Sequence, residues 1–315
     1  MADPAPAVRI GTSGWSYPQG RGTWNGVFYP VAPGSRSPRG FDELAYYAEH
    51  FDTVEVNSTF YRVPSAATTA SWVRRTPPGF EFAVKLHQQF THPAMHARST
   101  GDLSGTVTLT DADAFKFALA PLADAGRLGP LLVQFPPSFT NDGAAQQYLA
   151  WLFDVFRDYT LALELRHRTW SDAPDDTRAL LAAHDAAWVQ IDEPKFKTSI
   201  RQDLRPAVGG VFYLRMHGRN AAQWWDHNAS EDRYNYLYTS DELEPFAARI
   251  EEARRLAKKI YLYMNNHFEA KAVANAAMIT DRLGLDVRGT YPDGFLERYP
   301  ELRGRVTPAS RQSLF

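Results

Sequence analysis

Apolar and polar residues alternate in short runs along the whole chain, and most runs end in a polar or turn-forming cluster. In LALELRHRTW (161–170), Leu161, Leu163 and Leu165 fall on one face of a strand and Glu164 and Arg166 on the other. Strands are also read at VRIGTSGW (8–15), TVEVNSTF (53–60), FEFAVKLHQQF (80–90), PLLVQFPPSF (130–139), AAWVQIDEP (186–194), VFYLRMHGR (211–219) and KKIYLYMNNH (258–267). Between them, apolar residues at helical spacing predict helices over 41–51, 65–75, 111–126, 143–159, 175–185, 241–257 and 269–283. Residues 16–40, 91–110 and 221–240 read as long loops, and the basic connector 195–210 lacks a convincing helix.

Eight strands mostly separated by helices predict an α/β protein of the TIM-type (β/α)8 barrel class. The expected organisation is one barrel domain with long βα loops over 8–302, an N-terminal tail at 1–7 and a C-terminal tail at 303–315. An open doubly wound sheet is the competing architecture. GTSGWS at the first βα turn does not fit the G-x-G-x-x-G phosphate fingerprint, which weighs against a dinucleotide fold.

Composition narrows the chemistry. The chain of 315 residues has a formal net charge of −2, so a nucleic-acid partner would need a local basic patch. It contains no cysteine, which excludes disulfides and thiolate catalysis. No apolar stretch is long enough to span a bilayer, and the N-terminus lacks a charged-then-apolar leader pattern. The expectation is therefore no membrane association and, by default, a cytoplasmic location.

The alternation then selects candidate site residues. Glu55 and Asn57, Lys85 and His87, Gln134, Glu164 and Arg166, Asp192, Arg215 and His217, and Asn265 all come late in their strands, opposite apolar positions that would face outer helices. They are expected to converge on the C-terminal mouth, where barrel enzymes build their sites. One inward Glu–Arg pair is as readily a structural ion pair, but several such strands point to a pocket, since buried charges without partners cost several kcal/mol, roughly. Lys85, Arg166 and Arg215 suit an anion, with arginine matched to phosphate or carboxylate. Glu164, Glu55, Asp192 and His217 are the acid/base candidates. Asn57, Gln134, Asn265, His167, Trp170 and Trp15 are the candidate ligand contacts. His217 and the carboxylates are also ligand types for a divalent metal, yet no compact metal motif is present and no metal ligands are assigned; the cofactor stays open.

Aromatic residues crowd the same loops: Trp15, Tyr17, Trp24, Phe60, Tyr61, Trp170, Trp224, Trp225, Tyr234 and Tyr236. Such rings can stack on bases or sugars, or simply pack the loops onto the rim. His92 and His96 sit in a long loop from which either could lean over the mouth, His167 and His267 follow strands, and His50 and His184 lie on predicted helices as surface or packing residues.

The segments RIGTSGWSY, W-x-G-x-FYP, FDTVEVNSTFYRVP, W-x-x-x-TPPGFEFAVK with a later TH, LVQFPPSF, LELRHRTW, YLRMHGR and YMNN with a later ANA occur in order from about residue 9 to about 280. Together they resemble the YecE-like family, known as domain of unknown function 72. The resemblance implies a TIM-type barrel, similar to those of endonuclease IV and xylose isomerase, which use metals at strand ends. Their metal pattern does not carry over, because Lys85, Arg166 and Arg215 occupy several inward places. Three functions compete. The first is a hydrolase of phosphoesterase type acting on an anionic, phosphate-containing substrate, nucleic acid included. The second is a carbohydrate-active enzyme with Glu55 and Glu164 as its carboxylate pair. The third is a non-catalytic binder of small anions or nucleic acid.

Overall fold

Each expected strand forms, but most stop earlier than the run that predicts them, because the chain turns away once polar residues begin. The computed structural model describes residues 7–35, 38–101, 107–202, 210–224 and 232–309. Its strands are β1 (Ala7–Thr12), β2 (Thr53–Val56), β3 (Glu81–Lys85), β4 (Leu128–Gln134), β5 (Leu161–Glu164), β6 (Ala187–Trp188), β7 (Gln190–Asp192), β8 (Val211–Met216) and β9 (Lys259–Met264). All pair in parallel, in the orders β2-β3-β4-β5-β6 and β1-β9-β8-β7.

Two seams close these sheets into a TIM-type barrel. At one, β6 runs into β7 through Val189, whose N–H donates to the Leu163 carbonyl at 2.9 Å. The sixth strand position is thus made of two short pieces. At the other, Ser13 bridges Glu55 in parallel, and the Gly14 N–H donates to the Glu55 carbonyl at 2.8 Å. Gly11 makes this approach feasible: a Cβ there would lie 2.3 Å from the Thr53 carbonyl oxygen.

The helices start where their capping residues dictate. Asp42, Ser65 and Asp142 accept from first-turn N–H groups, while Thr108 with Asp111 and Thr239 with Glu242 form reciprocal capping boxes. The stretch 91–110, read as a loop, instead carries the helix Pro93–Thr100, entered through Pro93. The C-terminal tail also needs correction: Thr307–Pro308 (β11) pairs with Thr290–Tyr291 (β10). Residues 1–6 and 310–315 of the two expected tails lie outside the described residues.

Alternation gives the barrel two shells. Val54, Val56, Phe82, Val84, Leu131, Val133, Leu161 and Leu163 are buried against the helices. The interior is polar and layered. Glu81 holds Arg9, Lys259 and the Tyr261 hydroxyl at the N-terminal end. Tyr213, Tyr261 and Tyr263 pack together in the middle, with Tyr261 and Tyr263 stacked and Tyr213 tilted against both. A second ion cluster tops them at the C-terminal mouth.

Candidate functional site

Arg215, on β8, is 1% exposed and stands at the centre of that upper cluster. Its Nε and Nη2 donate to Glu55 Oε2 and Oε1 at 2.8 and 2.7 Å, and its Nη1 donates to Glu164 Oε2 at 2.5 Å. Ser13 and Tyr213 donate to the two Glu55 oxygens, each at 2.7 Å. Arg166 Nε donates to Glu164 Oε1 at 2.6 Å, and its Nη1 lies 3.5 Å from Glu193. Burial would raise the Glu164 carboxyl, but Arg215 and Arg166 outweigh it and hold the group well below the usual carboxylate range. Burial followed by the same two guanidiniums pushes His217 well below the normal imidazole value. Its Nε2 lies 3.3 Å from Arg166 Nη2, and its Nδ1 lies 2.8 Å from the Asn265 amide. The imidazole is therefore neutral.

Above this cluster lies a cavity of about 770 Å³. Lys85, Arg166, Arg215 and Arg233 contribute the charge of its wall, and among the described residues no Asp or Glu lines it. The carboxylates sit beneath the arginines, so the cavity sees guanidinium and ammonium faces. Lys85 Nζ rests 4.1 Å from the centroid of the Phe60 ring. Burial, reinforced by Arg215, brings its ammonium down to about 7. His92 and His267 also line the space; burial brings each to about 4, with Lys85 and Arg166 adding to the effect at His92. Asn57 Oδ1 and His267 Nδ1 are buried with no hydrogen-bond partner among the described residues.

The cavity brings together Lys85, Arg166, Arg215, Asn57, Gln134, Asn265 and Trp15. Glu55, Glu164 and His217 lie directly behind the arginines. Four expectations are corrected, the fourth being His87 below. Asp192 is not at the site: it accepts from Arg219 Nε and Nη2 at 2.8 and 3.0 Å and from the Tyr238 hydroxyl at 2.7 Å. Period two holds only within β7, which ends at Asp192, and it is the next residue, Glu193, that faces Arg166. His167 accepts from the Thr169 N–H at 3.3 Å and bridges Ser199, outside the cavity wall. Trp170 is fully buried, stacked on Phe139 and donating to the Phe139 carbonyl at 2.9 Å, so it cannot face a ligand.

The loop aromatics divide the same way. Trp15, Tyr17, Phe60, Tyr61 and Tyr234 line the cavity, whereas Trp24 is buried with its indole donating to the His267 carbonyl at 2.6 Å. Trp224 is buried edge-on to His217, and Trp225 lies outside the described residues. Sequence reasoning did not select Ser13, Glu193 or Arg233 for the site. Ser13 and Glu193 follow strand ends, and Arg233 comes from a long loop where no periodicity operates. His87 leaves the inward set, because the strand stops at Lys85 and its ring accepts from the Gln89 N–H at 3.4 Å.

A closed parallel barrel with a polar cavity at the C-terminal ends of its strands defines this chain as a TIM-type barrel protein with one cation-walled mouth. The chain belongs to the family described as "Protein of unknown function DUF72", whose profile matches residues 9–298. It is 29% identical over 292 residues to the UPF0759 protein YunF of Bacillus subtilis, covering 90% of this chain and 98% of that one. A DUF72 family protein of Thermotoga maritima, solved as a crystal structure, is 31% identical with a TM-score of 0.73, over 88% of this chain and 99% of that one. A DUF72 family protein of Enterococcus faecalis shares the fold with a TM-score of 0.75 at 24% identity, over 89% of this chain and 96% of that one. Among the described residues no helix is long and apolar enough to cross a membrane, and no group of three or more His, Asp and Glu could hold a metal ion.

Proposed function

We propose that the mouth cavity takes a small anionic, phosphate-containing ligand and acts on it as a phosphoester hydrolase. The observation that carries this reading is the one-sided wall, with Lys85, Arg166, Arg215 and Arg233 lining the cavity and no carboxylate among the described residues. An anion entering it meets the guanidinium of Arg166, whose charge-assisted hydrogen bonds to an oxyanion are stronger than neutral ones. A volume of about 770 Å³ suits a nucleotide-sized molecule rather than a duplex. The orphaned Asn57 Oδ1 and His267 Nδ1 are groups that a ligand would satisfy.

The carbohydrate alternative is disfavoured by the same geometry. Glu55 and Glu164 are bridged by one guanidinium, which fills the space between them, and Glu164 is held deprotonated and cannot serve as the general acid. A binder without turnover is the reading to separate from catalysis. Titration with inorganic phosphate and with a nucleoside monophosphate, read by thermal shift, is expected to stabilise the wild type, and Arg166→Ala should weaken binding roughly tenfold or more. No stabilisation at millimolar phosphate would overturn the ligand class. Hydrolysis of a nitrophenyl phosphate, with and without Mg²⁺, Mn²⁺ or Zn²⁺, tests catalysis; turnover unchanged in Arg166→Ala would overturn the assigned site, and binding without turnover would leave a binder.

A further inference from the structure

Lys85 differs from every other cation on the cavity wall in what surrounds it. Arg166 and Arg215 each hold carboxylates, and Arg233 is a guanidinium without nucleophilic character. Among the described residues Lys85 Nζ makes neither an ion pair nor a hydrogen bond, and it lies over the Phe60 ring. It sits at the end of β3 and lines the same cavity as Asn57 and Gln134. A lysine whose only task is structural would be expected to find a carboxylate, and Glu164 and Glu55 are near but already taken.

We infer that Lys85 is a nucleophilic amine that forms an imine with an aldehyde or ketone carried by the anionic ligand. The substrate class is thus a carbonyl compound bearing a phosphate or carboxylate, and this rests on the anion-binding reading above. In the step, the neutral amine adds to the carbonyl carbon to give a carbinolamine. The carbonyl oxygen then leaves as water with the two amine hydrogens, and the resulting imine can take one proton from solvent. No oxidant or reductant is required. Arg166 holds the anionic end, while the Phe60 face shields the amine from bulk water.

The electrostatic surroundings favour the reactive form. Lys85 faces Arg215 on β8, Arg166 and Glu164 at the end of β5, Glu55 on β2, His217 beyond β8 and His92 from its own βα loop. Burial and the guanidiniums oppose a further positive charge, and the two carboxylates only partly offset them. At neutral pH a substantial fraction of Lys85 is therefore unprotonated, whereas ordinary exposed lysines, near about 10.4, are almost wholly charged.

The test is reductive trapping of the intact wild-type chain at pH 7 with glyoxylate and cyanoborohydride, the labelled lysines being located by peptide mass spectrometry. Lys85 should be labelled on the order of tenfold or more faster than any other lysine. Inorganic phosphate should suppress the labelling, and uncharged propanal should label Lys85 more slowly than glyoxylate does. Equal labelling of the surface lysines with Lys85 spared would overturn the inference, and equal rates with propanal would overturn the anionic substrate class. Lys85→Arg should lose the fast label; if that variant does not fold, the wild-type map decides alone. Phosphate stabilisation without Lys85 labelling removes only the imine, whereas absence of phosphate stabilisation removes the anion site itself.

Discussion

Arg215 gives its strong hydrogen bonds to Glu55 and Glu164, two carboxylates that would otherwise share a buried space. Removing one partner of such a cluster leaves charge uncompensated, a loss of about 3–5 kcal/mol. Arg215→Met is therefore expected to destabilise the chain by about that amount in urea unfolding; a loss below about 1 kcal/mol would mean that the carboxylates take up protons instead. Glu164 has the opposite exposure to pH. Its folded-state pKa lies well below its ordinary value of 4.5, so under acid conditions the unfolded chain binds a proton that the folded chain does not. Stability must then rise with pH in that range, and the contribution is lost as pH falls below about 4.5. Glu164→Gln should flatten this acid limb when unfolding is followed between pH 3 and 6, roughly. A limb as steep as in the wild type would assign the effect to other carboxylates. At the rim, Asp192→Asn loosens the clasp on Arg219 and Tyr238 but leaves the cavity wall intact, so phosphate binding should be unchanged while thermal stability drops modestly.

At the scale of elements, β1 meets β2 closely because Gly11 has no side chain. Gly11→Ala would put a methyl 2.3 Å from the Thr53 carbonyl, and the barrel must open locally or the strand must shift. The expected loss is about 1–3 kcal/mol in chemical denaturation, and an unchanged midpoint would show that the seam is softer than its geometry implies. Strand existence was legible because period-two alternation reports which face is buried. Within strands it placed Glu55, Lys85, Gln134, Glu164 and Arg215 correctly on the interior. Beyond the last paired residue alternation carries no information, which is why it marks neither Glu193 as inward nor His87 as outward; Asp192 is still paired with Met216, yet it serves Arg219 and Tyr238. Trp170 was misplaced for a related reason: a large ring next to polar residues looks the same in sequence whether it faces a ligand or fills the space behind a short helix such as Thr169–Asp172. Rim residues supplied by long loops, Arg233 above all, carry no periodic signal.

In the whole molecule, the two sheets join only at their seams and through side chains that cross the interior. Glu55 and Glu164 belong to the sheet β2–β6, and Arg215 belongs to the sheet that ends in β1. Neither half has a complete interior, so unfolding should be a single event, with far-ultraviolet dichroism and tryptophan fluorescence giving coincident transitions. Separated curves would mean that one half outlasts the other. The Glu55–Arg215–Glu164 cluster also has a consequence in time. During synthesis the chain emerges at about 5–20 residues per second, and both glutamates leave the ribosome well before residue 215 exists. In the nascent half-barrel Glu164 already has Arg166, but the guanidinium that joins it to Glu55 is still unmade, so the centre lacks its shared cation. The arrival of β8 supplies the shared counter-charge, and β9, which pairs with both β8 and β1, then closes the barrel; ribosome-arrested chains ending before residue 211 and after residue 264 should differ sharply in protease resistance.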